Sequence, residues 1–213
     1  MQLYSFFNSS TSYRVRIALA LKGVEYRYTG VNIRVGEQSS DSYRELNPSK
    51  GVPYFIDEDG NRFSQSLAII QYLDERYPQS PLLPKDKVEK ARVMELSAAI
   101  ACDMHPVNNL RVLGYLSKNF GVNDQQKSQW YTHWINEGFT AVETLLQRYG
   151  SGDYCFGNAP SLADCCLVPQ VANAERMGCD LSAYPRVLAV YNHCQQQPAF
   201  QQAAPKSQPD FIG

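Results

Sequence analysis

The chain has 213 residues, with 20 Lys+Arg against 21 Asp+Glu, a formal net charge of -1, 44% hydrophobic and 19% charged residues. This is the balance of a folded globular protein, and without a basic excess a surface that holds nucleic acid by phosphate charge is excluded. No apolar run approaches the roughly 18 residues of a membrane span, and the opening MQLYSFFNSS lacks the basic and apolar regions of a secretory leader, so the sequence reads as cytoplasmic with no membrane partner.

The first segment alternates short strands and helices. Leu3 to Phe7 is an apolar, aromatic strand, and Arg14 to Lys22 carries a helical apolar pattern stopped by Gly23. Tyr26 to Ile33 alternates as a second strand. Tyr54–Ile56 and Arg62–Phe63 flank Asp59–Gly60, the strongest hairpin signal in the chain. Leu67 to Leu73 then reads as a helix with Ser66 as its N-cap. The order β-α-β, connection, β-β-α predicts a small mixed sheet with packed helices.

Pro78, Pro81 and Pro84 mark a linker, which predicts domains over residues 1–80 and 86–213. Beyond it the pattern is all-helical. Val88 to Leu116 is one long helical stretch in which Pro106 disfavours helix at His105, so the chain should bend there. Trp130, Trp134, Val142, Leu145, Leu146 and Tyr149 fall on one apolar face. Ser161 and Asp164 resemble a capping box opening a helix that is apolar almost all round, the expected buried centre. The Pro- and Gln-containing tail from Ala204 to Gly213 reads as loosely ordered. Six cysteines lack C-x-x-C or zinc spacing and are expected to be free thiols, with no metal.

Chemistry concentrates between the first strand and first helix. Ser9-Ser10-Thr11-Ser12-Tyr13-Arg14-Val15-Arg16 puts four hydroxyls at a helix N-terminus, where free N–H groups and the dipole favour an anion. Ordinary capping accounts for the same residues. Val52-Pro53 opens the third strand, where a cis bond would aim the Val52 backbone outward, and Gln65-Ser66 starts the next helix, a second place for a carboxylate. The order and spacing of these signals carry more than any one of them.

These stretches, with Asn47-Pro48 and the run Leu167 to Arg176 followed by Tyr184-Pro185, make the chain resemble a zeta-class glutathione transferase, the family that includes maleylacetoacetate isomerase. The resemblance spans nearly the whole chain. It implies a thioredoxin-like α/β N-terminal domain, an all-α C-terminal domain and a homodimer. It also implies glutathione as cofactor, bound by Ser9, Ser10, Thr11, Ser12, Tyr13, Arg14, Gln38, Val52, Pro53, Gln65 and Ser66. Val52 would pair with its cysteinyl part across a cis Pro53, and Gln65 and Ser66 would hold the γ-glutamyl end. Ser9 would hydrogen-bond the thiolate, with Ser10 and Thr11 as neighbouring catalytic hydroxyls. Ser9 and Ser12 stand at C-x-x-C spacing, so a disulfide cycle is not expected.

A free thiol has a pKa of about 8.5. A charge-assisted hydrogen bond of about 1.5–3 kcal/mol and a helix N-terminus of about 0.3–2 kcal/mol would together lower it by roughly one to three units. Serine need not ionise.

The activity implied is glutathione-dependent cis–trans isomerisation of maleylacetoacetate in tyrosine and phenylalanine breakdown. The alternatives are the maleylpyruvate isomerase reaction of gentisate breakdown, and conjugation or α-halo acid dehalogenation. A small dicarboxylate calls for cationic clamps, and Arg14, Arg111 and Arg176 are the candidates. Taken alone, Arg176 also suits an exposed last helical turn, and His105 a structural role. By resemblance to bacterial members, His105, Asn109, Leu110 and Arg111 approach glutathione and substrate. Two positions depart from the class: many members carry cysteine where Thr11 stands, and arginine where Asn8 stands.

Overall fold

Strand β1 (Gln2–Ser5) is the hub of a four-stranded sheet of order β2-β1-β3-β4. It pairs in parallel with β2 (Arg27–Gly30) and antiparallel with β3 (Tyr54–Ile56), which pairs antiparallel with β4 (Arg62–Ser64). The crossover from β1 to β2 is helix α1 (Ser10–Leu21), closed at Gly23, whose φ of 64° suits a residue without Cβ. A short helix α2 (Asp41–Leu46) lies in the connection to β3. The β3–β4 turn falls where Asp59-Gly60 predicts it, with Asp57 accepting from the backbone of Asp59 and Asn61 and from the Tyr72 hydroxyl. Helix α3 (Ser66–Arg76) follows. Its N-cap is Gln65 rather than Ser66. Gln65 takes a φ of 72°, which turns the chain sharply and leaves Ser66 as the first helical residue.

The second segment holds α4 (Lys87–Ala98), α5 (His105–Val107), α6 (Leu110–Phe120), α7 (Asp124–Tyr149), α8 (Leu162–Arg176) and α9 (Pro185–Gln195). Residues 99–104 form a π-helical turn between α4 and α5. His105 is therefore helical (φ -63°, ψ -45°), contrary to the expected bend. The turn before Pro106 is π-helical, so its pairing is shifted by one residue from the α pattern in which a proline ring meets the carbonyl four residues back. The break comes at Asn108 and Asn109 instead, where Asn109 caps α6.

Helix α8 is the buried centre of its unit, as its composition predicts. Ser161 and Asp164 form a capping box, and Asp164 also accepts from the Cys155 N–H at 2.8 Å. The buried face of α7 runs through Tyr131, Ile135, Phe139, Val142 and Leu146, so Val142 and Leu146 are buried as predicted while Tyr131 and Ile135 take the place expected of Trp130 and Trp134. Trp130 and Trp134 are half-buried and Tyr149 is exposed. Glu143 accepts the N–H groups of Arg186 and Val187, so it neutralises the start of α9. On α7, a Cβ at Gly138 would lie 2.3 Å from Met104 Cε and 2.8 Å from its Cγ, so the last residue of the π turn seats directly on that glycine.

The computed structural model describes residues 1–212, so Gly213 at the end of the tail lies outside the described residues. Two units emerge, residues 83–194 and residues 1–82 together with the segment from Gln195 onward. The break at 82/83 lies in the proline-marked linker. The tail differs from expectation: it does not extend the helical unit but returns to the first. Helix α10 (Pro198–Ala203) buries Phe200 and Ala203 and packs on α1, and Arg16 Nε donates to Ala203 O at 2.9 Å. Nor is the segment after Ala204 loose, because the Asp210 carboxylate accepts from Phe7 N and Tyr28 Oη. All six cysteines are free thiols, Cys102 being exposed and Cys155, Cys165, Cys166 and Cys194 buried. Among the described residues no helix is long and apolar enough to cross a membrane, and no group of three His, Cys, Asp or Glu side chains could hold a metal ion.

Candidate active site

The first unit brings three segments together. At the β1–α1 turn, Ser9 is the N-cap of α1 and its Oγ accepts the Ser12 N–H at 3.2 Å. Ser9 Oγ lies 2.9 Å from Thr11 Oγ1, which donates to Val52 O at 2.8 Å. Thr11 thus ties the helix start to the loop before β3, 41 positions away. Val52-Pro53 is a cis peptide, as the resemblance implies. The Val52 N–H has no partner among the described residues. No acidic side chain stands in the first turn of α1, so its positive end is unopposed.

At the start of α3, Gln65 makes no side-chain cap and no acidic residue occupies the first turn. Behind it, the buried Arg14 donates from Nη1 to Ser66 Oγ at 3.3 Å. A guanidinium under an open helix N-terminus suits a carboxylate. Gln38, in the connection after β2, has a buried Oε1 with no hydrogen-bond partner among the described residues.

Three expected contacts take a different form. Ser12, Tyr13 and Arg14 are 0%, 2% and 1% exposed, so their side chains support the turn from inside rather than line it. The backbone N–H groups of Ser12 and Tyr13 are already used on Ser9 Oγ and Ser9 O. Arg14 in particular is no surface clamp for a substrate, since its guanidinium reaches Ser66. Ser10 is buried as the first residue of α1, and Thr11 is half-buried.

The second unit carries two groups. His105 Nε2 lies 3.5 Å from Asn109 Nδ2, and Asn109 Oδ1 caps α6 by accepting from Arg111 N at 3.1 Å. Leu110 and Arg111 are exposed on the first turn of that helix. Arg176, the last residue of α8, is exposed and donates from Nη2 to Asn173 Oδ1, while Asn173 Nδ2 donates to Tyr131 Oη at 2.7 Å. Burial is the main reason the Tyr131 phenol is pushed far up, so it stays a neutral brace. Sequence reasoning missed Asn173 as the support of Arg176, although the i,i+3 spacing on one helix was there to read.

The chain matches the glutathione S-transferase N-terminal domain over residues 1–75 and the glutathione S-transferase C-terminal domain over residues 128–193, and it belongs to the glutathione S-transferase family. Within that family it is 47% identical to a probable maleylacetoacetate isomerase of Vibrio cholerae, over 98% of this chain and 97% of the relative. The holo structure of a maleylpyruvate isomerase, a bacterial glutathione S-transferase of the zeta class, superposes with a TM-score of 0.97 at 46% identity, covering 100% of both chains. A maleylacetoacetate isomerase from Anaeromyxobacter dehalogenans 2CP-1, with dicarboxyethyl glutathione and citrate in its active site, gives a TM-score of 0.88 at 37% identity over 99% of this chain and 93% of that one.

Proposed function

We propose that this enzyme is a glutathione-dependent cis–trans isomerase of maleylacetoacetate. The observation that supports the proposal is the hydrogen-bonded set Ser9–Thr11–Val52, which joins the N-cap hydroxyl of α1, with no acidic side chain in its first turn, to the loop that carries the cis Val52-Pro53 peptide. Glutathione fits the residues present. Val52 would pair with its central peptide, the α3 start with Arg14 behind Ser66 would receive the γ-glutamyl carboxylate, and the orphan Gln38 oxygen would take a donor from the tripeptide. When bound, glutathione supplies a sulfur nucleophile that adds reversibly to an alkene conjugated with a carbonyl, so the former double bond can turn.

The protein's part is to hold that sulfur charged and the diacid oriented. The Ser9 hydroxyl and the α1 dipole stabilise negative charge at the turn. Arg176, held by Asn173, and Arg111, at the start of α6, are the proposed carboxylate partners, with His105 and Asn109 completing the polar end of α5 and α6. The citrate and dicarboxyethyl glutathione in the Anaeromyxobacter relative support a small dicarboxylate as substrate. Assignment to tyrosine and phenylalanine breakdown in the cytoplasm, and to a homodimer, follows from the family resemblance. Sedimentation would test the last.

Isomerisation of maleylacetoacetate with and without glutathione tests the reading, and equal rates would refute it. Ser9→Ala should lower turnover by about ten- to a thousandfold, the equivalent of about 1.5–4 kcal/mol at the transition state. Because the zeta-class neighbour named above is a maleylpyruvate isomerase, the second reading is that diacid, and the ratio of kcat/KM on the two acids decides between them.

A further inference from the structure

The turn that carries Ser9 is held at both backbone polar groups of Phe7. Phe7 N–H donates to Asp210 Oδ2 at 3.1 Å, and the other carboxylate oxygen accepts from Tyr28 Oη at 2.6 Å. Phe7 O accepts from Arg16 Nη2 at 2.9 Å. Arg16 Nη1 donates to Phe6 O, the same oxygen that accepts the Ser9 N–H at 3.0 Å. Arg16 itself is buried and fixed through Nε to Ala203 O. Two residues before the N-cap hydroxyl, the backbone is therefore gripped by a cation from α1 and an anion from the far end of the chain. The Phe211 ring also meets Phe7 edge-on at 5.4 Å.

We propose that Asp210 is a positioning residue for Ser9: together with Arg16 it sets the Phe6–Ser9 turn so that the N-cap hydroxyl points at the glutathione sulfur. The inference rests on the reading of Ser9 given above. Charge-assisted bonds at both the N–H and C=O of Phe7 leave that turn little freedom, and a hydroxyl must be aimed within a narrow cone to stabilise a thiolate. A tail that served only to cover apolar surface would need Phe200 and Phe211 but no carboxylate on the Phe7 N–H.

The test titrates the thiol of glutathione bound to the full chain, by its thiolate absorbance against pH, in Asp210→Ala, Asp210→Asn, Tyr28→Phe and Ser9→Ala. For Asp210→Ala the thiol pKa should rise by about half to one unit, with kcat near neutral pH down about tenfold and the KM for glutathione within about threefold. Asp210→Asn keeps an oxygen for the Phe7 N–H and should restore most of the titration. Tyr28→Phe frees one side of the carboxylate and should shift the titration in the same direction by less. A thiol titration in Asp210→Ala that matches the wild type, even with a lowered Tm, overturns the proposal. So does an Asp210→Asn as impaired as the alanine variant. If Asp210→Ala does not fold, an unmoved titration in Tyr28→Phe overturns it. Ser9→Ala separates the two claims. If it leaves the titration unmoved, the reading of Ser9 fails. If it shifts the titration while Asp210→Ala does not, only the role of Asp210 fails.

Discussion

The hydroxyls of Ser9 and Thr11 lie 2.9 Å apart, and only Ser9 can be the donor between them, because the one proton of Thr11 is committed to Val52 O at 2.8 Å. Thr11 is thus both an acceptor for the Ser9 hydroxyl and a strut between the start of α1 and the loop before β3.

Thr11→Ala should therefore raise the KM for glutathione about three- to thirtyfold, the loss of one to two hydrogen bonds, while Thr11→Ser stays close to wild type. Initial rates with glutathione varied at fixed diacid measure this. A serine variant as poor as the alanine one would mean that the methyl group matters more than the hydroxyl.

Arg176 donates to Asn173, which is itself tied to Tyr131. With Arg176 holding the diacid as proposed, Asn173→Ala is expected to raise the diacid KM about fivefold and leave the glutathione KM unchanged, since one bond that orients the guanidinium is lost. Arg176→Lys should not substitute, lacking the planar fork. Equal shifts in both KM values would show that the effect is on the fold of α8 and not on the diacid.

At the β3–β4 turn, burial disfavours the Asp57 charge, but hydrogen bonds from Tyr72, Asn61 and the backbone of Asn61 and Asp59 outweigh it and bring its pKa down to about 2. A carboxylate depressed in the folded state contributes stability that is present above its unfolded pKa of about 3.9 and is lost as pH falls towards 2. Asp57→Asn should lower Tm at pH 6 and converge with the wild type near pH 2. Thermal melts across that range would show it, and a constant gap between the two curves would exclude the mechanism.

Cys102 is the exposed thiol, while burial pushes the Cys155 and Cys194 thiols well up. An aromatic disulfide reagent in native buffer should modify one thiol fast, and Cys102→Ser should abolish that phase. Cys179, half-buried and pushed up mainly by burial, should follow slowly.

What the sequence made legible was local. Asp59-Gly60 and the Ser161–Asp164 box each encode their geometry within four residues and form where read, while the hydroxyl run caps the first helix as read but starts it at Ser10, four residues before Arg14. Contacts between distant positions were not legible. Nothing near Thr11 announces Val52, and a lone Asp210 among prolines and glutamines gives no sign that it reaches Phe7, 203 positions away. The face of α7 was legible at Val142 and Leu146 but not in its first half, where hydrophobicity favours Trp130 and Trp134 and the buried residues are Tyr131 and Ile135. His105 was misjudged because a rule for α-helices was applied to a stretch whose preceding turn is π.

The seat of Met104 on Gly138 links that wide turn to a helix more than thirty positions further along the chain. A methyl group at 138 could not be absorbed by the tip of the methionine alone, since its Cγ as well as its Cε stands in the way. The turn would have to shift, and His105, the very next residue, would shift with it. A bare hydrogen on α7 thereby becomes the spacer that calibrates where an imidazole stands.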